Sequence, residues 1–514
     1  MNAASSSHSG EGLNRGIVTA AVMLATIMQT LDSTIANVAL PHMQGSFSVA
    51  QDEVTWVLTS YIVAAAIATP LTGWLATAYG TKRLLLGSMA GFTVASVLCG
   101  LAGTIFQMVV FRFLQGICGA ALVPLAQTML LNIYPREKAG GAMAIWGAGV
   151  MLGPIIGPTL GGWLTDAYNW RWVFYINVPI GAVAYAALWA FASETQQYKR
   201  SFDFFGFAML SVAVGALQLL LDRGEYKDWL ASTEIRIELG VAIACFWVFL
   251  VHSATWVHPF VNLVLFKDRN FASGNIIMFL VSVVILASTA LLPTLLQVVL
   301  NYPVVTAGFL MTPRGFGTVL AMLLVGRLTS KMDPRLLMLV GFVLSAYAFW
   351  MPAHWAIDMD WRPVAMAGFV QGFGLGFIFV PLSLSAFGTL PSQYRSEATA
   401  LFSLIRNIGG SIGISIAENY LSRASQANHQ AIAAQVTPYN QALRDPAVSA
   451  WWDIHSTMGL SALNREVTAQ ATMMAYLDCF VLMAVICAAM IPLLLIMRRS
   501  RAAPGPAAAH ASAE

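Results

Sequence analysis

Phe113-Leu114-Gln115-Gly116-Ile117-Cys118-Gly119, running on to Val123-Pro124-Leu125, returns later in the chain as Phe369-Val370-Gln371-Gly372-Phe373-Gly374, running on to Val380-Pro381-Leu382. A second pair keeps the same order. Gly73-Trp74-Leu75 followed by Lys82-Arg83-Leu84-Leu85 is matched by Gly326-Arg327-Leu328 followed by Pro334-Arg335-Leu336-Leu337. The offset is about 250 residues in both cases, as expected for two six-helix units separated by two further spans. Apolar segments resemble one another by chance, but two matches in one order argue for duplication. Parallel repeats facing each other across the bilayer midplane are a transporter architecture.

The composition around these stretches names the solvent. Of 514 residues, 58% are hydrophobic and 10% charged, with a mean hydropathy of +0.70; a soluble domain would carry about a quarter charged residues. Only lipid accommodates so much apolar surface. Apolar runs of membrane length predict an all-α polytopic protein with about fourteen transmembrane helices. The expected organisation is a disordered N-terminus (1–14), a six-helix bundle (15–192), two inserted transmembrane helices with their linkers (193–270), a second six-helix bundle (271–498) and a disordered tail (499–514). The second bundle includes a long outer loop at 421–472.

Connections alternate in charge. Lys82/Arg83, Arg136/Lys138, Lys199/Arg200, Lys267/Arg269, Arg327/Lys331/Arg335, Arg395 and Arg498/Arg499/Arg501 fall on one side. Asp52/Glu53, Asp166, Asp228 and Asp358/Asp360 fall on the other. The positive-inside rule then expects both termini in the cytoplasm. No apolar core precedes the polar first residues, so no cleaved signal peptide is expected. A net charge of +3 without a basic run gives no reason for a nucleic-acid partner. Cys99, Cys118, Cys245, Cys479 and Cys487 lie in apolar stretches, without metal-ligand spacing.

Charges inside spans point to function. Arg112, Arg314 and Arg406 are the basic ones; Asp32, Asp478 and, near an outer end, Glu418 are the acids. Counting residues at 1.5 Å each puts Asp32 and Arg112 both roughly 10 Å below the outer surface, where they can meet if their spans are neighbours. Burial in lipid favours a protonated carboxyl and a neighbouring arginine an ionised one. Asp32 is therefore expected to carry a proton, with Arg112 tuning it; the plainer alternative is a static buried ion pair. Arg314 and Arg406 either line a substrate cavity or bind backbone carbonyls at a helix break, with Asp478 as a candidate partner. Gln29, Gln127, Asn275, Gln297 and Gln371 complete the candidate cavity.

Gly149, Gly153, Gly157 and Gly161 recur every four residues, with Pro154 and Pro158 interleaved and Gly162 following. One helix face of glycine permits close backbone approach, and the prolines predict a kink. The ladder reads as a tight packing seam, or more sharply as a seam on which two halves rock. An ATP-driven pump is disfavoured by the absence of a Gly-x-x-x-x-Gly-Lys-Ser/Thr phosphate loop, and a membrane metalloenzyme by the absence of His-Glu-x-x-His. No cofactor is expected. A passive channel would need no titratable switch.

Together these motifs resemble the major facilitator superfamily, specifically its fourteen-span drug:proton antiporters and, within them, the EmrB-type multidrug exporters. Leu31-Asp32-Ser33-Thr34-Ile35-Ala36-Asn37-Val38-Ala39-Leu40-Pro41 resembles that group's first-span motif. Arg112 to Gly119 resembles the fourth-span motif, whose arginine is implicated in proton coupling. Gly149 to Gly162 resembles the motif associated with export. Trp170 to Pro179, Leu265 to Phe271 and Arg406 to Ser411 also fit the subfamily. Gly73, Gly80, Lys82 and Arg83 match the family's gating loop, but Thr77 stands where the motif has an acid and Ala78 where it has an arginine. The inward-closing latch attributed to that acid therefore lacks its acid here. The resemblance implies two six-helix bundles plus two inserted helices, and proton-coupled export of amphipathic drugs or toxic small molecules across a bacterial inner membrane. It further implies an EmrA-type periplasmic adaptor and a TolC-type outer-membrane channel, with Trp451/Trp452 on the outer loop as a contact. Transport of one specific metabolite, in or out, and a pump acting without an adaptor are the alternatives.

Overall fold

The computed structural model describes residues 3–194, 197, 201–329, 331–437, 439–444 and 451–498. Lys199, Arg200, Arg499 and Arg501, which entered the charge alternation, and the tail at 501–514 lie outside the described residues. Among the described residues, thirteen helices are long and apolar enough to cross a membrane, and the bent pair Lys138–Pro154 and Thr159–Ala167 makes a fourteenth. Among the described residues there is no strand. Helices are what lipid allows, because each satisfies its own backbone N–H and C=O groups.

The first bundle comprises α1 (Ala3–Phe47), α2 (Trp56–Tyr79), α3 (Thr81–Leu101), α4 (Ile105–Gly119) with its continuation α5 (Leu122–Ile133), α6 (Arg136–Ala167) and α7 (Asn177–Phe191). The inserted pair is α8 (Phe204–Arg223) and α9 (Thr233–Thr255). The second bundle holds α10 (Arg269–Thr294), α11 (Val304–Leu328), α12 (Pro334–Trp350), α13 (Arg362–Gly388), α14 (Arg395–Ala433) and α15 (Thr457–Met490). Packing repeats with the sequence. α1 lies on α6 as α10 lies on α14; α4 packs on α2 and α3 as α13 packs on α11 and α12. The inserted hairpin leans on α2 and α14, fixed by Thr59 donating to Asp222 and Gln218 donating to Ser411 at 2.7 Å.

The bundles meet along α2–α14 and α6–α11. At the basic end the junction is polar. The Arg395 guanidinium donates to the Leu131 carbonyl at 2.9 Å and to Asn132 Oδ1 at 3.0 Å, and the Thr128 and Thr399 hydroxyls stand 2.7 Å apart. Gly73 is needed here, because a Cβ would come within 2.8 Å of Glu397 Cα. This end is closed.

The glycine ladder is where expectation and structure part. α6 bends by 43° within the ladder, as the prolines predict. Yet Gly149, Gly153, Gly157 and Gly161 pack against Met23, Thr30, Thr34 and Ile35 of α1, in their own bundle, and Thr34 Oγ1 donates to the Gly153 carbonyl at 3.3 Å. Gly162 has open space before it. The face of α6 that meets the other bundle carries Gly140, against Thr329, and Gly147, against Met322. A four-residue stripe covers only one side of a helix, so the ladder is a seam within one bundle, not between two.

Candidate functional site

Asp32 and Arg112 meet. Arg112 Nη1 donates to Asp32 Oδ2 at 2.7 Å, and both residues have 0% exposure. The pairing extends into a five-helix cluster. From α4, Gln115 Nε2 donates to Asp32 Oδ1 at 2.9 Å. From the first turn of α7, Asn177 Nδ2 donates to the same oxygen at 2.7 Å. The α3 hydroxyl of Ser96 accepts from Gln115 at 2.8 Å and from Asn177 at 3.2 Å. Arg112 is held from other sides as well: Nε donates to the Val57 carbonyl of α2 at 3.1 Å, Nη1 also donates to Gln115 Oε1 at 2.8 Å, and the guanidinium lies 4.4 Å from the Tyr61 ring centroid. A buried ion pair persists only when its remaining hydrogen-bonding capacity is met. Here it is, with one exception: Asn177 Oδ1 has no partner.

Each of the three side chains bonded to the carboxylate oxygens is a donor. A protonated Asp32 would need an acceptor, and the free amide oxygen of Asn177 is the nearest unused one on a residue already bonded to it. Sequence reading missed Gln115, Asn177, Ser96 and Tyr61. The signal was present for Gln115, which lies one helical turn beyond Arg112 on the same face, and for Asn177, a polar residue opening an apolar run. Nothing in the sequence places Ser96 there.

The other candidates scatter. Gln29 reaches the edge of the cluster, its Nε2 3.2 Å from the Tyr61 hydroxyl that accepts from it. Gln127 is 1% exposed with both amide atoms unpaired. Asn275 donates to the Phe271 carbonyl of its own helix at 2.8 Å. Gln297 is half-buried in the turn Leu295–Val299 beyond α10. Arg406 is half-buried one turn before Gly409, Gly410 and Gly413, which pack on α10 at Phe279, Leu286 and Val283. Asp478 is exposed on α15 and, among the described residues, ion-pairs with neither arginine. Its proposed partnership does not form. Arg314 and Gln371 do share a place, a narrow crevice inside the second bundle.

The gating loop binds within its own bundle. Gly80 has φ +93°, a conformation that glycine adopts without strain. It lets Glu194 cap the start of α3, accepting from the backbone N–H of Lys82 at 3.1 Å and of Arg83 at 3.2 Å. Lys82 Nζ caps the other side, donating to the Trp189 and Ala192 carbonyls at 2.9 and 2.6 Å. Thr77 turns back on the Gly73 carbonyl. An acid does stand at Gly73, but it comes from the second bundle: Glu397, which also accepts from the Asn262 backbone N–H at 2.6 Å.

A family model described as the Major Facilitator Superfamily matches residues 22–414. The multidrug export protein EmrB of Haemophilus influenzae is 36% identical over 88% of this chain and 90% of its own. The fatty acid resistance protein FarB of Neisseria gonorrhoeae is 36% identical over 93% of this chain and 94% of its own. The crystal structure of the human organic anion transporter MFSD10 superimposes with a TM-score of 0.59, covering 92% of this chain and 99% of that one at 13% identity, a likeness of fold.

Proposed function

The chain belongs to the major facilitator superfamily and, within it, to the group of the EmrB exporters, and on that premise we propose that it exports amphipathic drugs or toxic small molecules in exchange for protons. It is a multi-pass membrane protein and not an enzyme. The observation that carries the reading is the Asp32 cluster, a carboxylate out of reach of water whose three donors come from two different helices besides its own. Such a pair could be replaced by apolar packing at little cost to stability, so its presence in lipid is a reason to assign it work. A proton arriving on Asp32 frees Arg112 and Gln115 from it and recruits the Asn177 oxygen. That changes how α1 is tied to α4 and α7, and α1 is the helix that the glycine ladder couples to α6. The driving force is the proton gradient, with no cofactor.

The relatives' names speak of multidrug export and of fatty acid resistance; an amphipathic substrate satisfies both. The charge alternation supports insertion in a bacterial inner membrane with both termini in the cytoplasm. A tripartite assembly is supported by the outer hairpin. α14 has 39 residues, about 60 Å at 1.5 Å each, twice the hydrocarbon thickness of about 30 Å. Its extension pairs with α15 through Ser425–Thr472 and His429–Asn464, and the described residues between the two helices and at the start of α15 expose Tyr439, Trp451 and Met458. That apolar tip is the surface we assign to an EmrA-type adaptor leading to a TolC-type channel.

Two measurements test this. In proteoliposomes, an imposed pH difference should drive drug transport by the wild type but not by Asp32→Asn; equal transport by both would refute proton coupling through Asp32. In an efflux-deficient host, expression should raise drug resistance with the adaptor present, and resistance that is the same without it would remove the tripartite reading.

A further inference from the structure

The duplicated halves allow the second bundle to be compared with the first, residue by residue. Gln371 is the repeat partner of Gln115. At the same register Ser288 stands at the position of Asp32 and Gly368 at that of Arg112; the register of the α2/α11 match puts Arg314 at the position of Tyr61. The structure agrees. Gly116 packs on the backbone carbonyl of Tyr61, and its partner Gly372 packs on that of Arg314. Gln115 Nε2 donates to Asp32, and Gln371 Nε2 donates to Ser288 Oγ at 3.0 Å. The space that Arg112 would fill from α13 is vacated by Gly368, and Arg314 enters it from α11, its Cβ 3.7 Å from where a Cβ of Gly368 would be.

The second bundle thus keeps the glutamine and the guanidinium of the first and lacks the carboxylate. Among the described residues no acid pairs with Arg314, and its one hydrogen bond is a long 3.5 Å contact from Nη2 to the Ile285 carbonyl. A cation held at lipid depth without a counter-charge is costly. Arg314 and Gln371 face a crevice whose other walls include Val284, Ser345, Phe349 and Leu375, a polar head-group corner in an apolar sleeve.

We propose that the carboxylate missing from the second bundle is supplied by the substrate: Arg314, with Gln371 and Ser288, forms a binding site for the anionic head of amphipathic carboxylic acids. A planar guanidinium beside an amide donor matches a carboxylate's two oxygens, as Arg112 and Gln115 already show in the other half. For its biological use this rests on the export reading; as a binding site it stands separately.

The test is equilibrium binding of radiolabelled decanoate to the purified full chain, with decanol and decyltrimethylammonium as neutral and cationic comparators. Arg314→Gln should weaken decanoate binding by about tenfold or more, the worth of a charge-assisted hydrogen bond in a poorly hydrated site. Arg314→Lys should recover part of that loss, and binding of the two comparators should be unchanged. Ser288→Asp, which leaves Arg314 in place and gives it an internal partner, should expel decanoate as well and guards against a variant that fails to fold. Equal decanoate binding by wild type and Arg314→Gln would overturn the proposal. So would a melting temperature that rises with chloride only when Arg314 is present, alongside unchanged decanoate affinity, since the guanidinium would then serve a free inorganic anion. Arg314-dependent binding in a chain that exports nothing would remove the export reading and leave the site standing.

Discussion

The two bundles solve one problem in opposite ways. Each holds an arginine and a glutamine at corresponding depth, yet in the first Arg112 donates from Nε and Nη1 to a carbonyl, a carboxylate and an amide of the protein, while in the second Arg314 reaches a single distant carbonyl. A satisfied charge can be a switch, because changing its protonation rearranges named bonds. An unsatisfied one can be a receptor, because it gains by binding. On the reading proposed above, the duplicated fold separates proton handling from solute recognition: the helix framework repeats, and the side chains at one register do not.

The largest expected effect comes from breaking the satisfied half. Asp32→Asn should reduce pH-driven transport to the level of protein-free vesicles, and the orphaned Arg112 should lower stability by about 3–5 kcal/mol, read from thermal melting. Making the halves alike should come next. Ser288→Asp is expected to cost decanoate binding about tenfold, or about 1.4 kcal/mol. A change inside the first bundle, outside the Asp32 cluster, is smaller in its consequence for binding. Gly153→Val would bring a side chain within 2.8 Å of Thr30 Cβ and 2.9 Å of the Leu31 nitrogen, and the overpacked α1–α6 seam should lose about 1–3 kcal/mol. Transport should fall with it, while decanoate binding in the second bundle stays as it was.

The smallest effect lies outside both halves, in the cap that starts the inserted hairpin. Burial works against the charge of Asp203, but the backbone N–H groups of Gly206 and Phe260 and the His252 ring outweigh it and hold the carboxyl below the ordinary aspartate range. A depressed folded-state value adds stability that is complete above the unfolded aspartate range and is lost as pH falls through the folded value. Asp203→Asn should therefore cost about 1 kcal/mol near neutrality, and the difference from wild type should shrink progressively as the pH falls below about 4.

Much of this was legible beforehand, for reasons of physics. Lipid permits only structures that satisfy their own backbone groups, and continuous apolar runs of about 20 residues do so as helices, so hydrophobic patterning dictated the class of fold, and the Phe113/Phe369 repeat dictated its two-fold plan. Asp32 and Arg112 could be paired from depth alone, since helical rise converts residue counts into distance along the membrane normal. Rotation about each helix axis is not set by that count. For this reason Asp478, a candidate partner for the buried arginines, turns out exposed, and the glycine ladder, which reads as a tight seam or more sharply as one between rocking halves, lies inside one bundle.

The sequence by itself determined the membrane, the helices, the duplication and the burial of a carboxylate near a fixed cation, because each follows from hydrophobicity and local spacing. Only the tertiary structure decided that Gln115, Asn177 and Ser96 complete the Asp32 cluster, that Glu397 of one bundle sits on Gly73 of the other, and that Arg314 stands without an acid. Those facts depend on which faces of distant helices meet, and lateral packing is fixed by the sum of many contacts across the chain, not by any one stretch of it.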